Sequence, residues 1–182
     1  MISSKLSELA IESIEYYLEK KELLKLKSDL DEFTGYDLSQ VILFKEGRLR
    51  GQSSNFGENI GCCNINLQEQ IVINAVNAAF FDQAFPRLSY KELRDTRAEV
   101  LLLKHVDSLN MSRVTLLDAY LKAKKVIVAR NGYRYSVENP VLSGYRKDSR
   151  SLLLKLAIKL GLKYTKLAKS GLVIDIFDII NQ

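Results

Sequence analysis

The chain has few of the residues on which several common kinds of protein depend. Its two cysteines are adjacent, at Cys62 and Cys63, and cannot form a disulfide framework. It has two prolines, no tryptophan and no linker rich in proline or serine that would divide it into separate domains. Its longest apolar runs are far shorter than the ~18 residues of a membrane-spanning helix. The first twenty residues mix Glu with Leu and do not read as a signal peptide. We therefore expect a cytoplasmic protein without membrane spans.

What is present is the composition of an ordinary folded protein. Hydrophobic residues make up 47% and charged residues 27% of the 182 positions, which argues against disorder. A chain of this length buries enough apolar surface to fold without disulfides or a metal ion. We predict a single domain over residues 1–182, and the length leaves open a division of that domain into two lobes.

The charge of the chain is unevenly distributed. Residues 1–40 carry five Lys and nine Asp or Glu, whereas residues 145–169 carry eight Lys or Arg and one Asp. Within the basic segment, Lys155, Lys159 and Lys163 form a stripe opposite the leucines of a predicted helix. Such a stripe could bind nucleic-acid phosphates. Because no aromatic stacking motif accompanies it, we favour a solvated or internally paired face, with nucleic-acid binding by the basic C-terminal third as an alternative.

Apolar periodicity and turn residues predict a mixture of helices and strands. The predicted helices run from Ser4 to about Lys27, over Leu67–Phe81, and from Ser149 to a stop at Gly161. The predicted strands are 41–45, 48–53, 96–104, 126–130, 133–135 and 172–179. Glu46-Gly47 and Asn131-Gly132 are typical of hairpin turns. Because helices and strands follow no regular alternation, we predict an α+β fold with a mainly antiparallel sheet flanked by helices.

From Asn66 onward, a helix with small residues leads through the segment from Ala78 to Leu88, which contains an Asp and a Phe-Pro turn, to Glu92-Leu93 and the strand Glu99 to Leu103. This order of features resembles the AMMECR family. Upstream, the segment Ser7 to Leu18 resembles the first helix of the family. The resemblance therefore covers nearly the whole chain. It implies an α+β fold with a cleft and a biochemical role that is poorly defined.

The family's strand signature, LRGCIG, divides between two places in this sequence. Leu49-Arg50-Gly51 reproduces its first half but has Gln52 where Cys is expected, whereas Gly57 to Cys62 reproduces a Gly turn and the Gly-Cys pair without the Arg. We favour the first alignment because it also matches the preceding strand and turn. It predicts that Arg50 shares a polar face with Arg48 and Gln52 and that Leu49 packs inward beneath the helices.

The sequence departs from the family at other positions of the implied cleft. The family's Asp-x-Arg-Phe reads Asp82-Gln83-Ala84-Phe85, so its Arg is missing, and no Trp is present. A chain that has lost part of the cleft is a poor candidate for shared chemistry. We therefore predict the binding of a small ligand or a protein partner, without catalysis.

The candidate ligand-binding residues are Arg50, Gly51 and Asp82. Glycine permits a close backbone approach, and the planar guanidinium of arginine suits a carboxylate or phosphate. If the fold resembles the family, these residues line the cleft. Cys62 is the weak candidate for a catalytic residue in the alternative of a thiol- or metal-assisted enzyme, but no Lys or Arg lies within six residues of it to lower its pKa.

No sequence motif identifies a cofactor, and the sequence offers too few candidate ligands for a metal site. A structural zinc ion needs four ligands, and the sole histidine, His105, is the only classical partner for the cysteines. His105 has no identifiable Ser or Cys partner and is interpreted as a solvated strand-end residue. Asp175 and Asp178 lie three apart on a strand, hence on opposite faces, and do not form a paired-carboxylate site.

Overall fold

The structure is a computed structural model, and it describes residues 2–26, 36–54, 66–123, 125–132, 134–139, 148–163, 167 and 170–180. Its helices are Ile2–Lys20 (α1), Leu67–Phe80 (α2), Tyr90–Leu93 (α3), Leu117–Lys122 (α4) and Ser149–Lys159 (α5), with a 3-10 helix at Met111–Leu116. Its strands are Leu38–Lys45 (β1), Arg48–Ser54 (β2), Thr96–Leu109 (β3), Val126–Asn131 (β4), Arg134–Glu138 (β5) and Val173–Ile179 (β6). Among the described helices, none has the length and apolar character that crossing a membrane requires.

Residue contacts divide the chain into two compact units. Among the described residues, the first unit contains those from 2 to 54, those from 66 to 103 and Ile180, and the second contains those from 104 to 179. Strand β3 contributes its first part to the first unit and its last six residues to the second. Both units combine antiparallel strands with helices, which confirms the predicted α+β class.

In the first unit, β1 pairs antiparallel with β2 on one side and with β3 on the other. Helices α1 and α2 pack against one face of these strands, where their apolar stripes meet inward-facing strand residues. The shared core of this unit includes Leu6, Ala10, Ile14, Val41, Leu43, Ile71, Ala75, Ala78, Val100 and Leu102. Asn66 caps α2 as predicted, because its side chain accepts a hydrogen bond from the N–H of Glu69 at 2.9 Å.

The predicted hairpin between β1 and β2 is confirmed, with an irregularity that the sequence did not reveal. Glu46 and Gly47 both have positive φ, 52° and 74°, as a two-residue turn of this kind requires. Leu43 pairs with Gly51 and Phe44 with Leu49, so Arg50 is an extra residue between two pairs. This is a β-bulge, which locally breaks the alternation of side chains.

The bulge makes the predicted faces of β2 wrong. Leu49, expected beneath the helices, is 39% exposed, whereas Arg50, expected on a polar face with Arg48 and Gln52, is buried. Arg50 and Gly51 are thus consecutive buried residues, a pattern that a regular half-exposed strand does not give.

In the second unit, β4 pairs antiparallel with both β5 and β6. The predicted Asn131-Gly132 hairpin is confirmed, and Gly132 has a φ of 57°. Helices α4 and α5 contribute to a core with inward-facing residues of these strands, which includes Leu109, Leu117, Ile127, Ala129, Leu152, Leu156, Ile174 and Ile176. Helix α5 ends as predicted, since Gly161 has a φ of 70°.

Several element boundaries differ from the predictions. Helix α1 ends at Lys20 rather than near Lys27, because Lys21 adopts a φ of 58° that breaks the helix. Strand β3 continues to Leu109, five residues beyond its predicted end. Asp148, rather than Ser149, caps α5, with its side chain accepting from the N–H of Ser151.

Candidate functional site

The residue that the bulge turns inward, Arg50, forms an ion pair with Glu92. Its Nε lies 3.3 Å from Oε1 of Glu92, and its Nη2 lies 3.3 Å from Oε2, so the guanidinium presents two parallel donors to one carboxylate. The Arg50 side chain is only 9% exposed, whereas that of Glu92 is 25% exposed. A bulge that redirects one charged side chain from the surface into the unit is typical of functional sites.

The short helix α3 holds the Glu92 carboxylate in place. Ser89 precedes the helix, and both its backbone N–H and its hydroxyl donate to Oε2 of Glu92 at 3.1 Å. Nζ of Lys45, at the end of β1, lies 3.5 Å from Oε1. The hydrogen bonds from Arg50, followed by the backbone N–H of Ser89, lower the pKa of Glu92 from its ordinary 4.5 to about 2.

The low pKa of Glu92 gives acid unfolding a specific signature. A carboxyl whose pKa is depressed on folding contributes stability that is complete above its unfolded pKa and is lost as pH falls toward its folded pKa. The wild-type protein should therefore lose more stability between pH 4.5 and pH 2 than Glu92→Gln, which has no proton to gain. Urea midpoints measured across this range test the expectation, and parallel pH profiles for the two proteins would contradict it.

One nitrogen of the Arg50 guanidinium remains unused. Nη1 is buried and has no hydrogen-bond partner in the described part of the chain. An arginine carries five N–H donors, and the Glu92 carboxylate engages only two of them. Buried donors are nearly always paired, so an unpaired one beside an ion pair calls for an explanation.

Gly51 brings β2 into direct backbone contact with α2. A Cβ built on Gly51 would lie 2.1 Å from the carbonyl oxygen of Ala78, closer than any real contact. The small residues that the sequence places at Ala75, Ala78 and Ala79 therefore allow the close approach predicted for this helix. The contact holds the part of β2 next to Arg50 against α2.

Asp82 fastens the same strand to the loop after α2. Its Oδ2 accepts a hydrogen bond from the N–H of Gln52 at 3.0 Å, and its Oδ1 accepts one from the N–H of Ala84 at 2.9 Å. Of the three predicted ligand-binding residues, Arg50 and Gly51 are thus neighbours on β2. Asp82 accepts a hydrogen bond from the next residue of β2, Gln52.

A buried polar layer fixes α2 on the sheet, and sequence reasoning missed it. The Nδ2 of Asn74 donates to the carbonyl oxygen of Ser39 at 3.1 Å, and the hydroxyl of Ser53 donates to Oδ1 of Asn74 at 3.4 Å. Asn74 and Ser39 are fully buried. A polar residue such as Asn74 within an apolar helix was the available signal, because buried amides need partners.

The second unit contains its own polar cluster, around Asp175. This carboxylate is 1% exposed and binds the Arg130 guanidinium in a bidentate pair, which raises the pKa of Arg130. The Ser108 hydroxyl donates to Oδ1 of Asp175 at 2.7 Å, and Nε2 of His105 lies 2.9 Å from that hydroxyl. His105 therefore has a serine partner, contrary to the sequence-based interpretation.

The cluster does not have the order of a hydrolytic triad. In a triad the carboxylate binds Nδ1 of the histidine, and Nε2 faces the serine. Here Oδ1 of Asp175 lies 3.8 Å from the same Nε2 that faces Ser108, and Ser108 itself binds the carboxylate. Asp178 pairs separately with Lys125, so the two aspartates of β6 do not act together. The arrangement is that of an ion pair in which the Asp175 carboxylate is buried and the Arg130 side chain is 38% exposed.

The lysine stripe of α5 is largely paired within its own unit. Glu138 on β5 is 3% exposed, and its carboxylate lies 2.7 Å from Nζ of Lys155 and 3.7 Å from Nζ of Lys159. These two lysines neutralise a buried acid, which favours the internally paired face over phosphate binding. Lys163 is exposed.

Some predicted features lie outside the described residues. Cys62, Cys63, Gly57 and Gly61 belong to residues 55–65, so the alternative signature alignment and the thiol alternative stay predictions. Among the residues that the structure does describe, no three His, Cys, Asp or Glu side chains group in a way that would hold a metal ion.

The antiparallel strands and the helices of both units define the class of the protein as α+β. The family model for AMMECR1 matches residues 7–181, and the chain belongs to the AMMECR1 family. The structure is similar to the crystal structure of the uncharacterized protein PH0010 from Pyrococcus horikoshii, with a TM-score of 0.73 and 19% sequence identity. This match covers 96% of this chain and 87% of that one, and at this identity it shows the fold alone. No curated protein matches the chain significantly.

Proposed function

We propose that this AMMECR1-family domain binds a small ligand, or a small group of a partner, at Arg50 and does not catalyse a reaction. The observation that carries the proposal is the unused Nη1 of a guanidinium whose side chain is nine-tenths buried. A buried donor without a partner costs about 1–3 kcal/mol. A ligand that brings an oxygen acceptor to Nη1 recovers this free energy on binding.

The surrounding structure supports a binding role because it fixes the guanidinium before any ligand arrives. Glu92 holds one edge of the group, and the capping interaction with Ser89 holds Glu92. The contact between Gly51 and Ala78 fixes the strand. Binding groups that are preorganised in this way lose little conformational entropy when the ligand binds.

The same residues are poorly suited to acid–base chemistry. A general base works best with a pKa near the working pH, whereas the pKa of Glu92 is about 2. Arginine stays protonated at physiological pH. Both carboxylate oxygens of Asp82 already accept backbone hydrogen bonds. The site therefore supports recognition rather than proton transfer.

A screen of small oxygen-bearing fragments against Arg50→Lys tests the proposal. The fragments are acetate, acetamide and inorganic phosphate, with binding followed by ligand-observed NMR at matched ionic strength. Lysine keeps the positive charge beside Glu92 but removes the planar set of donors. We expect at least one fragment to bind the wild-type protein and to bind Arg50→Lys at least about tenfold more weakly, since a charge-assisted hydrogen bond contributes about 1.5–3 kcal/mol.

Arg48→Lys is the matched control, because Arg48 lies on the same strand and is exposed. It should leave fragment binding unchanged. A thermal melt of each variant verifies that it is folded. If no fragment distinguishes wild type from Arg50→Lys, then Arg50 is a structural residue and the proposed function is wrong.

A further inference from the structure

We infer that the ligand of this site is a small monocarboxylate, bound in the plane of the Arg50 guanidinium at the edge formed by Nη1 and Nη2. The inference rests on the proposed function and adds the chemical class of the ligand. It follows from the donors that Glu92 leaves free and from the charges placed around them.

The geometry leaves one edge of the guanidinium for a second planar group. Glu92 uses Nε and one N–H of Nη2, which form the side edge. One N–H of Nη1 and the remaining N–H of Nη2 lie parallel at the end of the guanidinium. Two parallel donors in one plane match the two oxygens of a carboxylate. An amide offers a single acceptor oxygen and would use this edge incompletely.

The charges around Arg50 favour a ligand with one negative charge over a ligand with two. Arg50 and Lys45 contribute two positive charges around the one negative charge of Glu92, so the cluster is left with one positive charge. A carboxylate neutralises that charge. A phosphate group carries about 1.5 to 2 negative charges at neutral pH and would exceed it.

Enclosure limits the size of the group that binds. The accessible area of Nη1 is close to zero, and the Arg50 side chain is 9% exposed. The group that binds at this edge is therefore small, a carboxylate attached to a slender chain. Both a free short-chain acid and the C-terminal carboxylate of a peptide have this chemistry.

The closing experiment follows the Arg50 Nε–H and the backbone amides of Gly51 and Gln52 by NMR in the full-length ¹⁵N-labelled chain. The probes are acetate, propionate, inorganic phosphate and acetamide, with chloride keeping the ionic strength constant. The dipeptide acetyl-Gly-Ala, with a free or an amidated C-terminus, separates the peptide source from the free acid. We expect saturable shifts with acetate and propionate, and at least about tenfold weaker responses to phosphate and acetamide, equivalent to one well-made charged hydrogen bond.

Lys45→Met provides a second variant that keeps Arg50 and its fork. It removes the charge that offsets Glu92, so acetate binding should weaken about three- to tenfold, an effect of the size expected for one partly exposed charge. Arg48→Met is the matched control, because Arg48 pairs with Lys45 across the hairpin but is exposed. It should change acetate binding less than twofold.

The outcomes separate this inference from the proposed function. Phosphate binding at Arg50 as tightly as acetate would overturn the carboxylate inference and leave the binding role intact. A response to the free dipeptide but not to acetate would assign the site to peptide C-termini. Acetate binding to Lys45→Met within about twofold of the wild-type affinity would overturn the charge argument. No saturable response of Arg50 to any probe would overturn the proposed function itself.

Discussion

Replacing Gly51 by alanine is expected to destabilise the protein by about 3 kcal/mol, at the upper end of the range for overpacking. The added Cβ would lie 2.1 Å from the carbonyl oxygen of Ala78, and this obstacle is backbone that cannot rotate away. Either β2 separates from α2 or the helix shifts, and both break the core between them. Urea unfolding followed by circular dichroism measures the loss.

Gly47→Ala is the control for this experiment. Gly47 has a φ of 74° and no atom within 4 Å of a built Cβ, so its replacement tests backbone strain without a clash. It should cost about 1–2 kcal/mol, the cost of a left-handed conformation for a residue with a side chain. A smaller loss for Gly51→Ala than for Gly47→Ala would show that the two elements separate without cost.

Replacing Arg130 by methionine is expected to destabilise the protein by about 3 kcal/mol, the lower end of the range for a broken buried ion pair. The change leaves the Asp175 carboxylate, which is 1% exposed, without its bidentate partner. The loss stays at the lower end because the Ser108 hydroxyl still donates to Asp175. The measurement is the free energy of unfolding at neutral pH.

The double variant Arg130→Met, Asp175→Leu separates lost pairing from lost packing. Because it also removes the stranded charge, it should be more stable than Arg130→Met alone. Arg113→Met, which breaks an exposed pair with Asp107, should have a much smaller effect than Arg130→Met. A double variant less stable than the single one would mean that Asp175 does not depend on Arg130.

The sequence predicted the parts of the fold that short-range patterns encode. The hairpins at Glu46-Gly47 and Asn131-Gly132 follow from two-residue turns, and the α2 cap follows from Asn66. The only sequence signal for the bulge was Gly51, since a glycine inside a strand suggests a bulge. It does not show that Arg50 is the extra residue, because that depends on the pairing with β1. Strict alternation therefore placed Leu49 and Arg50 on the wrong faces.

The partners within the site were harder to predict than the residues themselves. Arg50 was proposed as a site residue from the sequence, but its partner Glu92 lies 42 positions away, and only the tertiary fold brings the two together. The available signal was the capping pattern from Ser89 to Glu92, which marks the start of α3. His105 and Ser108 were not paired because strand alternation puts residues three apart on opposite faces.

The hydrogen bond from Gln52 to Asp82 also bears on the behaviour of the protein at high concentration. The backbone N–H of Gln52 points away from β1, as it must to reach the Asp82 carboxylate. β2 is an edge strand of the sheet. An N–H that points outward from an edge strand can pair with a strand of another molecule, which is the first step of edge-to-edge aggregation. The Asp82 carboxylate occupies this N–H with a negative charge, and the adjacent bulge interrupts the regular spacing that an incoming strand needs. Asp82, proposed from the sequence as a ligand contact, is thus placed to hinder the pairing of β2 with a strand of another molecule.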